Sequence, residues 1–110
     1  MSQQHLPITG LPVGEVSPSV FVCGDPARAE RVAELLDGAT LLSDRREYRA
    51  FRGDYGGLPV TVCSHGIGAP GAAIAFEELI AAGARRIIRV GTCGALQPDL
   101  AAGDLVVATA

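Results

Sequence analysis

Lysine is absent from the chain, so that all nine basic residues are arginine. Arginine suits bidentate recognition of phosphate or carboxylate, but a biased genome composition accounts for the same pattern, and it carries little weight alone. Aromatic residues make up only 5%, which leaves Ala, Val, Leu and Ile to build the interior. No apolar run approaches the ~18 residues of a membrane span, and the start, Met1-Ser2-Gln3-Gln4-His5, lacks the basic and apolar regions of a signal peptide. These absences lead us to expect a cytoplasmic protein with no membrane partner. There is no even set of cysteines either: Cys23, Cys63 and Cys93 are widely spaced beside apolar runs, unlike a disulfide framework or a metal site. The basic excess of a nucleic-acid binder is missing, since the net charge is −3.

What is present suits one small globular domain. The 110 residues are 48% hydrophobic and 19% charged, a composition outside the disordered class, and a chain of this size buries roughly 65% of its unfolded surface. Residues 1–18 hold Pro7, Gly10, Pro12, Gly14 and Pro18, which predicts an irregular arm leading into a single domain over 1–110. His5 is the arm's one chemical handle, and a lone histidine near a terminus reads first as solvated.

Val20 to Cys23 predicts a strand ending at Gly24. Asp25-Pro26 then opens a helix with an acid cap and proline at the first position, and Gly38 is placed to stop it. Arg28 falls in the first turn, where the helix dipole and free amides favour an anion beside Gly24. Thr40 to Ser43 predicts a second strand, and the run from Asp44 to Arg49 a solvated surface. Tyr48 to Tyr55 and Leu58 to Cys63 are expected to pair as a hairpin about Gly56-Gly57. A helix rich in Ala, with Phe76, Leu79 and Ile80 on its buried face, is expected to stop at Gly83. Gly66-Ile67-Gly68-Ala69-Pro70-Gly71 matches G-x-G-x-x-G. A dinucleotide site is rejected, because the next strand ends in Arg89-Val90-Gly91-Thr92 rather than in the acid that would hold a ribose.

Ile87 to Val90 and Asp104 to Thr109 both read as buried strands. The second ends at Thr109, next to the last residue, Ala110, an odd place for a domain to stop, which leads us to expect a fragment. Strands alternating with two helices predict an α/β fold, a layered mixed sheet with flanking helices. An arginine within an apolar strand needs a partner, because an unpaired buried charge costs several kcal/mol. Arg89 is therefore expected either to pair with a structural carboxylate or to face an anion, with the turn Gly91-Thr92-Cys93-Gly94 supplying backbone donors.

Taken in order, His5-Leu6, Gly24-Asp25-Pro26-Ala27-Arg28, Arg46-Glu47-Tyr48, Ser64-His65-Gly66-Ile67-Gly68-Ala69-Pro70, Glu77-Glu78-Leu79 and Arg89-Val90-Gly91-Thr92-Cys93-Gly94-Ala95 resemble the N-terminal half of the hexameric-type nucleoside phosphorylases. That family holds uridine phosphorylases and bacterial-type purine nucleoside phosphorylases. The resemblance implies a nucleoside phosphorylase-like fold, apparently incomplete, and reversible phosphorolysis of a nucleoside to free base and ribose 1-phosphate in nucleoside salvage. It implies that Gly24, Arg28, Arg46, Arg89 and Thr92 bind phosphate, Arg28 and Arg89 being catalytic, and that His5, Thr92, Cys93 and Gly94 meet the nucleoside. Arg46 and His5 would serve the neighbouring subunit of a homo-oligomer, a hexamer built as a trimer of dimers when full length. No organic cofactor or catalytic metal is implied; phosphate is a co-substrate. A monovalent cation near Glu47, held between subunits in some uridine phosphorylases, is weakened by Gly71, which stands where they carry serine. His65 leans towards the purine branch, as do Val90 and Cys93, whereas Arg46-Glu47-Tyr48 and Gln97-Pro98 lean towards the uridine branch. The alternatives are a nucleosidase of the same fold, which needs no phosphate clamp, and an inactive fragment that keeps phosphate-binding or subunit contacts.

Overall fold

Alternation along the first strand sets up the layers. In β1 (Ser19–Cys23), Val20 and Val22 join one apolar cluster while Phe21 and Cys23 join another on the opposite face, as a two-residue side-chain period requires. The computed structural model describes residues 3–109. Met1, Ser2 and Ala110, the ends of the expected domain, lie outside the described residues.

α1 (Pro26–Ala33) follows β1 directly, with Asp25 Oδ1 accepting from the Ala27 amide at 2.9 Å as its cap. The helix stops at Ala33 and not near Gly38. Turn bonds from Leu35 N to Val32 O and from Leu36 N to Ala33 O, both 3.0 Å, close it early. Gly38, at φ 62°, lies instead within β2 (Asp37–Arg45), where pairing with β3 (Tyr48–Tyr55) shifts register between Asp37 and Thr40. A bulge there uses the left-handed backbone that glycine permits. The expected surface run 44–49 is the tip of this hairpin.

β3 pairs antiparallel with β4 (Leu58–Ser64), Tyr55 facing Leu58 across Gly56 and Gly57. Their φ values of 58° and 82° fit a two-residue hairpin turn that needs two left-handed residues. α2 (Ala69–Ala82) crosses over and ends at Gly83, φ 136°, and β5 (Arg86–Arg89) completes the sheet. The order is β2-β3-β4-β1-β5, with β4, β1 and β5 parallel. The predicted mixed sheet with helices is thus found. α1 covers one face through Ala29 and Ala33 against Cys23 and Val62. On the other face Leu79 and Ala82 of α2 pack with Val20, Val22, Ala50 and Cys63.

The arm is irregular as expected, yet it is part of this second layer. Leu11 and Val16 lie in the core, and Gly14 N donates to Ala82 O at 2.9 Å.

Two expected buried strands differ. β5 is an edge strand: it pairs with β1 alone, and Ile88 and Val90 are 58% and 48% exposed. Asp104 to Thr109 forms no strand among the described residues, with Leu105 94% and Val107 83% exposed. Apolar residues permit burial, but burial needs a strand alongside, and beyond β5 there is none among the described residues. Among the described residues no helix is long and apolar enough to cross a membrane.

Candidate functional site

Parallel strands leave their carboxyl ends at one edge of a sheet, where α/β folds place ligands. Here β1, β4 and β5 end together around an open cleft of about 1140 Å³. β1 contributes the Gly24-Asp25-Pro26 turn, β4 the turn from His65 to Ala69, and β5 contributes Arg89.

The first two turns are stitched together. His65 N donates to Cys23 O and Gly66 N to Gly24 O, each at 2.9 Å. A Cβ on Gly24 would stand 3.3 Å from Gly66 O, so a glycine allows the turns to approach closely. A third turn joins from the side. Ser64 Oγ donates to Glu47 O at 2.6 Å and accepts from Arg49 N at 2.9 Å, which brings the β2–β3 turn to the rim. Glu47 lies against Gly66, where any Cβ would strike its Cγ at 2.6 Å. Tyr48 is fully buried, and its hydroxyl donates to Gly71 O at 3.0 Å in the first turn of α2. Burial, followed by the nearby Glu47, pushes that hydroxyl's pKa up, so it stays a donor.

Arg89 Nε donates to His65 Nε2 at 3.1 Å. Among the described residues it forms no ion pair, and the two alternatives raised by the sequence separate on that point. The arginine that does pair is Arg49, with Glu30 at 2.9 Å and Asp44 at 3.8 Å. Arg89 is also more exposed than a buried strand would make it. Its positive charge therefore faces the cleft uncompensated by a carboxylate. Arg28 is half-buried on the other side of β1, lining a recess of about 200 Å³ with Cys23 and Val90, and it too forms no ion pair among the described residues. Both guanidinium groups act on the Cys23 thiol: burial raises its pKa, and Arg28 and, more weakly, Arg89 oppose that rise.

Gly24 and Arg89 thus line the cleft at the end of β1, while Arg28 lines the separate recess beside it. The remaining candidates are elsewhere. Arg46 is exposed at the tip of the β2–β3 turn with φ 52°, beside Glu47 but outside the cleft lining. His5 is exposed in the arm, bridged to Pro12, with Nδ1 3.1 Å from Gln3 O. Thr92 is exposed beyond β5, and Cys93 and Gly94 line a separate recess with Leu100 to Asp104. After Val90 N donates to Val22 O at 2.9 Å the chain leaves the ladder, so nothing directs these three towards the cleft.

Sequence reasoning gave no site role to His65, which is 3% exposed. Its signal was a polar residue ending an apolar strand immediately before a glycine turn, parallel to a strand that ends in arginine. Glu78 was also missed as an anchor. It lies within α2 and accepts from the arm's Thr9 amide and hydroxyl at 2.7 and 2.8 Å.

Comparison with known proteins bears on the whole assembly. The family model described as "Phosphorylase superfamily" matches residues 18–110. A guanosine phosphorylase of Halorubrum lacusprofundi is 48% identical over 96 residues, spanning 87% of this chain and 40% of the relative. A uridine phosphorylase of Escherichia coli is 47% identical over 90 residues, spanning 82% and 36%. Among solved structures, uridine phosphorylase from Vibrio fischeri superposes with a TM-score of 0.86 at 47% identity, covering 91% of this chain and 42% of its own. Purine nucleoside phosphorylase from Toxoplasma gondii, in complex with immucillin-H, gives 0.83 at 48% identity, covering 89% and 40%. The chain spans about two fifths or less of the length of these relatives.

Proposed function

Because the chain belongs to the phosphorylase superfamily, we propose that it supplies the phosphate-binding side of a nucleoside phosphorylase site. The reaction is reversible phosphorolysis of uridine or a purine nucleoside in nucleoside salvage. Phosphate attacks C1′, the glycosidic bond breaks, and free base and ribose 1-phosphate result. The observation that carries this reading is Arg89: a guanidinium at the carboxyl ends of three parallel strands, paired with no carboxylate among the described residues.

Such a transition state joins an anionic nucleophile to a sugar with oxocarbenium character. Its main requirement is to strip water from phosphate and hold it below C1′. Gly24 contributes its backbone amide, Arg28 and Arg89 grip the phosphate oxygens, and Thr92 adds hydroxyl and amide donors. Arg46 and His5 are exposed and do not line the cleft of their own chain. That suits groups serving a neighbouring subunit, Arg46 on phosphate and His5 on the ribose 5′ hydroxyl. A dimer is then the smallest working unit, and a trimer of dimers the full assembly, in the cytoplasm. Cys93 and Gly94 line the base and sugar, mainly through backbone. The residues that hold the ribose hydroxyls and recognise the base belong to the part of the relatives that this chain does not span.

A direct test follows. The isolated 110-residue chain should show no turnover of uridine, inosine or guanosine, because most positioning groups for the sugar and base are lacking. A longer protein containing this sequence should release base only when phosphate is supplied. Equal release with phosphate rigorously removed would favour a nucleosidase and overturn the reading.

A further inference from the structure

Arg89 is held by an uncharged partner, and the choice of partner has consequences. A guanidinium does not lose its proton in a protein and has no acceptor, so in the 3.1 Å contact Nε donates and His65 Nε2 accepts. The imidazole is thereby fixed as neutral, with its proton on Nδ1. A carboxylate in the same place would cancel the positive charge and tend to take two donors of the fork at once. The ring nitrogen takes Nε–H alone and leaves the outer Nη groups to a ligand.

The ring itself is well seated. It is 3% exposed, meets Phe76 edge-on with centroids 6.1 Å apart at 78°, and its backbone is tied to Cys23 O. Nδ1 is buried without a partner, so the contact to Arg89 is the ring's one hydrogen bond among the described residues. On its far side the guanidinium rests over Gly91: a Cβ there would collide with Arg89 Nη1. The buried ring therefore holds the Arg89 side chain on an exposed edge strand, and the absent Cβ at Gly91 leaves room for it there. The other titratable groups sharing this cleft are Asp25, Glu47 and Tyr48, and none of them bonds to either partner.

We infer that His65 is a positioning residue, which aims Arg89 at the bound anion through the Nε2 contact while leaving its charge intact. This rests on the phosphate reading given above. It assigns to His65 an orienting part in phosphate affinity and no contact with the reacting atoms.

The test uses the 110-residue chain with inorganic phosphate as the probe, followed by calorimetry and by the ¹⁵N–Hε resonance of Arg89. His65→Phe keeps a ring of similar size without the acceptor, and His65→Gln places a carbonyl oxygen near the position of Nε2. His65→Phe should weaken phosphate binding about tenfold and expose the Arg89 Hε to rapid exchange, as expected for losing a hydrogen bond to a charged group. His65→Gln should restore affinity to within about threefold of wild type and restore protection. A merely structural ring would give the opposite order, with Phe tolerated and Gln not. Should His65→Phe fail to fold, His65→Asn, whose amide stops short of Arg89, replaces it in the comparison with Gln. Wild-type affinity in the acceptor-less variant, or equal losses in it and in His65→Gln, would overturn the inference while leaving phosphate binding in place. Failure of the wild-type chain to bind phosphate saturably would overturn the phosphate reading itself, and this inference with it.

Discussion

Glu78 grips Thr9 from the middle of α2: Oε1 accepts from the Thr9 amide at 2.7 Å and from the Thr9 hydroxyl at 2.8 Å, and both carboxylate oxygens stand 3.3 Å from the Ile8 amide. Thr9 is fully buried, and its hydroxyl also accepts from Leu11 N at 3.2 Å. One carboxylate thus satisfies the backbone of a segment that has almost no ladder of its own. It thereby seats Leu11 and Val16 in the core and holds in place the arm that carries His5.

Replacing Glu78 with Ala should therefore cost more than a surface substitution. The buried Thr9 donors lose their partner, and a loss of about 2–3 kcal/mol is expected in urea unfolding, in the range for hydrogen bonds to a charged group. Limited proteolysis should then cut within residues 3–16 before any other site. Glu78→Gln, which retains an acceptor oxygen, should be milder. An arm equally protected in Glu78→Ala would show that apolar packing alone holds it.

Arg89→Ala should separate binding from folding. The side chain is exposed on an edge strand and forms no ion pair among the described residues, and its loss leaves only His65 Nε2 without a partner, so the stability change should stay at about 1 kcal/mol. Phosphate affinity should fall about tenfold or more, since a charge-assisted contact is lost. Comparable losses in both would return Arg89 to a structural role.

Gly91→Ala reaches the same guanidinium from the other side. The added Cβ meets only the flexible end of Arg89, which can swing away, so thermal unfolding should change little. Phosphate affinity should fall severalfold because the displaced fork no longer points into the cleft. Unchanged affinity would mean that the position of Nη1 over Gly91 is incidental.

The features read correctly from sequence were those fixed by local chemistry. Gly56-Gly57 supplies two left-handed residues, and Asp25-Pro26 supplies a cap and a fixed φ. Each is decided within four residues. What escaped depends on distant chain. Ile87 to Val90 has the composition of a buried strand, but only β1 lies beside it, and the run from Asp104 to Thr109 pairs with no strand among the described residues. Gly38 has the residue type of a helix stop, yet the register of β2 against β3 claimed it for a bulge. His65 and Glu78 were obscured for the same reason. Their partners, Arg89 and Thr9, are 24 and 69 positions away, and spacing along one chain does not reveal which turns will meet.

The three cysteines should differ sharply in reactivity. Cys23 and Cys63 are buried, while Cys93 is exposed. Burial raises both buried thiols, Cys63 to about 12, and the thiolate is the reactive form. A native chain at pH 8 should therefore label rapidly at one position, and Cys93→Ser should abolish the fast phase. All three should react in denaturant. A second fast thiol in the native state would mean that the sheet opens far more often than its packing suggests.

The same burial sets the alkaline limit of the fold. The Cys63 thiol is raised from an ordinary value of 9.0 to about 12, because burial penalises the thiolate and Cys23 adds to the effect. The folded chain then keeps this proton where the unfolded chain has released it. The stability Cys63 contributes is fully present below pH 9 and is lost as the pH rises through about 12. Within that window the loss should approach about 1.4 kcal/mol per pH unit for one thiol. Cys23 and Tyr48, both raised, act in the same direction. Urea unfolding under reducing conditions at pH 8, 9.5 and 10.5 should show midpoints that fall with pH. In Cys63→Ala, which is smaller and cannot ionise, the starting stability should be lower but the fall shallower. Parallel slopes in the two proteins would assign the alkaline sensitivity to groups other than the β4 thiol.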